Sequence, residues 1–165
     1  MGRVIATRVR PGLDVELAMR ALLRQAFEGT GVRVDVSFPG TDRLPSVAAT
    51  RVGGFALWPP GGIERPRVQI DCYAKERMRA TNLCLDVLAY LKGVEGEVHT
   101  FGDGARFVLN AVSEDSGPVP NQDDDTNQGV YRVTATVSLT THQHSPLSTI
   151  TPLPGVVEPG EPTEE

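Results

Sequence analysis

The chain has 165 residues, 16 Lys and Arg against 21 Asp and Glu, a formal charge of −5 and two cysteines. That length suits one domain with a real core, and 39% hydrophobic with only 5% aromatic residues makes the core aliphatic. The charge is unevenly spread, +5 over residues 1–92, −6 over 93–144 and −4 over 145–165, and no apolar run approaches the ~20 residues of a membrane-spanning helix.

Pro11-Gly12 breaks the first segment, and Asp14 is then a natural helix N-cap. Val15, Ala18, Met19, Leu22 and Ala26 recur at helical spacing, widened by Leu23 and Phe27, until Gly29 and Gly31 end the pattern. The spacing predicts a helix over 13–28. Val32, Val34, Val36 and Phe38 alternate with polar residues as a half-buried strand closed by Pro39-Gly40. Residues 46–58 hold one or two strands divided by Gly53-Gly54, and Pro59 to Gly62 is a loop. Val68, Ile70 and Cys72 alternate as another strand.

A second helix starts near Lys75, with Met78, Thr81, Leu85 and Leu88 on one stripe, broadened by Cys84, Val87 and Leu91; Gly93 fits the position after its end. One or two strands follow over 96–116 around Gly102-Asp103-Gly104, a turn signal, with Phe107, Leu109 and Ala111 on one face. The polar, acidic stretch 116–129 reads as a loop. From Val130 to His142 the alternation is the strongest in the chain, with the threonines on the wetter face. After Ser145 there are five prolines, four glutamates and no Lys or Arg, so residues 145–165 are expected to be a disordered Pro/Glu-rich tail. The order predicts one α+β domain over 1–144: a mainly antiparallel sheet with two helices packed on one face.

The chemistry-bearing motifs are sparse. No glycine run precedes Lys-Ser or Lys-Thr, and no Gly-x-Ser-x-Gly elbow occurs. Cys72 and Cys84 fall on apolar faces and read as buried structural thiols. His142 and His144 are too few for a zinc site. Asp123, Asp124 and Asp125 begin a near-miss to a calcium loop, but Gln128 stands where glycine is needed and Thr134 where a bidentate glutamate is needed. Neither a metal nor another cofactor is expected. The absence of a signal-like apolar segment near Met1 leads to the expectation of a protein made and used inside a cell. Lys75, Arg77 and Arg79 open the second helix, where the helix dipole disfavours positive charge. They form either an exposed face or a contact surface for an acidic partner.

The segment Arg65 to Ala74, ending in Tyr73-Ala74 and running straight into Lys75 to Leu83, resembles the strand, Tyr-Ala, then helix of tail terminator and minor tail proteins of long-tailed bacteriophages. The preceding helix Leu13–Phe27 and the last strand from Gly129 to Val137 fit the same order, so the resemblance spans about residues 13–142. It implies a non-enzymatic virion protein, assembled in the host cytoplasm, that forms a hexameric ring on the end of the tail tube. The ring would stop tube polymerisation and meet the head–tail connector; DNA would be only the passing genome. The charge map adds that Lys75, Arg77 and Arg79 could face a neighbour's acidic segment or an acidic tube end, as a heterologous ring contact requires. Asp123–Asp125 could instead line the lumen. Two alternatives are a head-closure or connector protein of the neck, and an α+β nucleic-acid-binding module. The second would need exposed aromatics for stacking, for which only Tyr73 and Tyr131 are candidates.

Overall fold

The structure, a computed structural model, describes residues 14–56, 63–101, 105–121 and 129–144. The expected turn at 102–104, the loop at 59–62, the Asp123–Asp125 segment and the 145–165 tail lie outside the described residues.

Helix α1 spans Val15–Ala26 and opens on Asp14, whose Oδ1 accepts the Leu17 backbone N–H at 3.0 Å. Its expected stripe is buried at Val15, Ala18, Met19, Leu22 and Leu23 and half-buried at Ala26 and Phe27. Strand β1 is only Arg33–Asp35. The alternation out to Phe38 does not continue as strand, because the chain leaves the edge there and Val36 is exposed. Phe38 instead stacks obliquely on Tyr73, with ring centroids 5.1 Å apart.

Strand β2 (Ser46–Ala56) is a single strand rather than two. Gly53-Gly54 marks a register shift between Arg51 and Gly53 in its pairing with β3 (Ile63–Ala74). Gly54 has φ +97°, and a Cβ there would meet the Arg65 carbonyl oxygen and the Pro66 Cα, so this close approach of two backbones requires glycine.

Helix α2 spans Arg77–Gly93. Its buried face is Ala80, Leu83, Cys84, Val87 and Leu91. The expected leading stripe is displaced: Met78 is 70% exposed and Leu85 49% exposed. Gly93 is the last helical residue, and the left-handed position falls later, at Gly96, whose N–H reaches the Leu109 carbonyl at 2.7 Å.

Strands β4 (Val98–Phe101), β5 (Ala105–Asn121) and β6 (Tyr131–His144) complete the sheet. Residues 116–121, expected in a loop, extend β5, because pairs such as Val119 with Thr134 and Asn121 with Arg132 continue the ladder despite two prolines. Three register shifts interrupt β5. The first, between Leu109 and Ala111, turns Ala111 outward and brings Val112 into the core behind Phe107 and Leu109. In β6 the alternation is regular: Val133, Ala135, Val137 and Leu139 are buried, and Thr134, Thr136, Ser138 and Thr140 are half-buried on the other face.

The strand order is β1-β2-β3-β6-β5-β4, antiparallel throughout except for β1 beside β2. Both helices join one core with the inward residues of β2, β3, β5 and β6. Helix α2 lies on β3, β6 and β5, whereas α1 touches β1, β2 and also β4, strands from the two margins. The sheet therefore curls until α1 meets both of its ends. The predicted α+β architecture, with two helices on one face, is the observed one.

Candidate functional site

Lys75, Arg77 and Arg79 are all exposed where β3 passes into α2. No acidic residue occupies the first turn of α2 and the Glu76 side chain makes no cap bond, so this helix N-terminus carries positive charge against its dipole. The helix is held at this end by the burial of Ala80 and Leu83. Beside it lies an open groove of about 420 Å³, floored by Phe27, Val32, Pro45 and Leu83 and rimmed by Arg79 and Asp86. Ala74 pairs with Tyr131, and Tyr73 and Asn121 both face Arg132 in the ladders. The residues flanking the Asp123–Asp125 segment thus end their strands at the same end of the sheet as the basic helix start.

On the sheet face opposite the helices sits a buried carboxylate, Asp71. It accepts from Arg132 Nε at 3.0 Å, from Thr134 Oγ1 at 2.7 Å and from Gln69 Nε2 at 3.0 Å. The Arg132 guanidinium lies 6.0 Å from the Tyr73 ring centroid. Leu44, in the β1–β2 crossover, packs on Ala48, Tyr73 and Val130. The cluster ties β3 to β6 under the crossover, and its carboxylate is saturated by donors. Of the two candidate stacking aromatics, Tyr73 is covered here and Tyr131 is exposed.

Cys72 and Cys84 meet across the β3–α2 contact, both fully buried. The hydrogen bond between them, with burial, pushes the Cys72 thiol up, so it stays protonated, while the same bond pulls the Cys84 thiol down. His142 Nδ1 lies 2.9 Å from Asn110 Nδ2. Among the described residues no group of three His, Cys, Asp or Glu could hold a metal ion, and no helix is long and apolar enough to cross a membrane.

The sheet margins hold a feature that the sequence reading missed. β1 covers only Ser46–Ala48 of β2, and β4 covers only Ala105–Val108 of β5. Beyond these, each margin has a backbone N–H taken by a glutamate. Glu16 of α1 accepts from Arg51 N at 2.8 Å. Glu95 accepts from Val112 N at 2.7 Å, while Lys92 Nζ donates to the Val112 carbonyl at 3.0 Å and to Glu95 at 2.8 Å. These two donors hold the Glu95 carboxyl below the usual carboxylate range, Lys92 having the larger effect. No spacing signal marks the contacts with Arg51 and Val112, because they join residues distant in sequence; Lys92 and Glu95 alone are a local pair, three residues apart.

The described residues thus present exposed charge at the helix start, saturated polar clusters and partly open sheet margins. No curated protein matches the chain. Residues 12–148, which include every described element, match the profile of phage tail termination proteins, and the chain belongs to that family of phage tail structural proteins.

Proposed function

We propose that this protein caps the phage tail tube as a homo-oligomeric ring, a hexamer, ending tube polymerisation and offering the surface on which the head–tail connector docks. The observation that carries the proposal is the family match over residues 12–148. The exposed Lys75, Arg77 and Arg79 support it as a contact surface for an acidic tube end or connector, since their charge opposes the helix dipole without any acidic residue in that turn. Asp123, Asp124 and Asp125 are proposed as a partner-facing or lumen-facing loop, where like charge would repel passing DNA. Assembly would take place in the host cytoplasm and the product would reside in the virion at the neck end of the tail.

The test is to grow tail tubes from the major tail tube protein with and without the purified chain. Capping gives tubes of limited length bearing a ring at one end. Tubes of unrestricted length, with the chain bound to the connector alone, would replace the terminator role with that of a neck protein.

A further inference from the structure

One ladder row of the sheet ends in opposite charges at its two margins. Arg51 pairs with Val68, Val68 with Val137, and Val137 with Glu114. One transverse row of the sheet therefore begins with a cation on the β2 margin and ends with an anion on the β5 margin. Alternation puts both on the helix-bearing side, because Val68 and Val137 between them point into the core. Both ends are exposed, and neither makes an ion pair among the described residues.

Each margin also carries an apolar element next to its charge. On the β2 side Val52, at the register shift beside Arg51, is 48% exposed. On the β5 side a groove of about 540 Å³ runs between α2 and β5, lined by Leu85, Leu88, Lys92, Val112 and Glu114. Strand directions are compatible: β2 is antiparallel to β3, β3 to β6 and β6 to β5, so β2 is antiparallel to β5. A copy placed beside another in the same orientation continues the alternation.

We propose that the β2 margin of one copy docks on the β5 margin of the next, with Arg51 facing the neighbour's Glu114 and Val52 entering the Leu85–Leu88 groove. The occupant is a second copy because the two patches are complementary in charge, lie in the same row and sit at opposite ends of one sheet, which is the arrangement of a heterologous, ring-forming contact. The contact runs through side chains, since Glu16 and Glu95 already hold the nearest margin N–H groups. This inference rests on the ring reading above and assigns its interface. The copy-to-copy contact thus falls at the margins, leaving Lys75, Arg77 and Arg79 for tube or connector.

The test compares the native mass of the full chain over a concentration series with Arg51→Glu, Glu114→Arg, the double swap and Val52→Asp, circular dichroism confirming that each is folded. Each single variant should self-associate about tenfold more weakly, and the double swap should regain the parent's behaviour. Single variants with the parent's mass distribution, a double swap that fails to recover, or a parent of single-copy mass at every concentration would each overturn the interface. Tube length measures capping separately. Tubes halted by the parent, while Arg51→Glu keeps the parent's mass, overturn the interface and leave capping standing. Tubes that run on despite rings sensitive to the swap overturn capping alone.

Discussion

The two helices reach similar burial by different routes. Helix α1 is specified locally: Asp14 caps it, Glu16 sits in its first turn, Arg24 in its last, and its buried residues form one continuous stripe. Helix α2 has none of this at its start, where an uncapped Glu76 precedes Arg77 and Arg79. It is helical because Ala80, Leu83, Cys84, Val87 and Leu91 lie across the three central strands β3, β6 and β5. Local signals thus define the helix at the sheet margins, and tertiary burial defines the helix at its centre, leaving the start of α2 free to carry a charge pattern that works against helix stability.

That contrast can be broken from either side. The largest effect is expected from Leu91→Ala, which leaves a cavity in a helix with little local support and should cost about 3 kcal/mol, read from urea unfolding midpoints. The same truncation at Leu22 in capped α1 should cost no more; a larger loss there would overturn the contrast. Next, Asp14→Ala should destabilise by about 1 kcal/mol by removing the Leu17 cap bond. At the other helix Glu76→Ser should stabilise, by at most ~1 kcal/mol, because it introduces a capping hydroxyl where none acts.

Smaller still, Arg77→Glu should raise stability by a few tenths of a kcal/mol at low salt, an effect that salt removes. If the basic start of α2 meets an acidic tube end, the same substitution together with Arg79→Glu should lengthen tails; unchanged tail length would remove that contact. The smallest expected effect concerns acid. The folded-state pKa of Glu95 is depressed by Lys92 and the Val112 N–H, so its contribution is present above the ordinary glutamate range and is lost as the pH falls through its lowered value. Glu95→Gln should therefore flatten the acid limb of a stability-against-pH curve.

Elements with strict periodicity were legible in the sequence: the α1 stripe, and β6, where Val133 to Leu139 alternate without interruption. Legibility failed where a bulge or a distant partner decides the face. Ala111 reads as core by alternation, yet the register shift after Leu109 substitutes Val112. Gly53-Gly54 reads as a break, yet β3 carries β2 through it. Met78 and Leu85 read as the leading edge of a buried stripe, yet the strands lie under its broadening residues Cys84, Val87 and Leu91, joined by Ala80 and Leu83. The basic residues at 75, 77 and 79 were visible as a charge cluster, and their exposure agrees with it. The opposition of Arg51 and Glu114 could not be seen, because it exists only once three ladders fix the register.

The carboxylates on the sheet margins have a consequence for growth. A β-sheet with bare edges is a template, and any strand that lands on it offers a new bare edge to the next. Here Glu16 occupies one edge donor, while Lys92 and Glu95 together occupy a donor and an acceptor on the other, standing where an added strand's peptide groups would bind. If copies join as proposed, the contact at these positions would run through matching side chains rather than through an added strand. At these positions the partly open margins give a further strand less to extend.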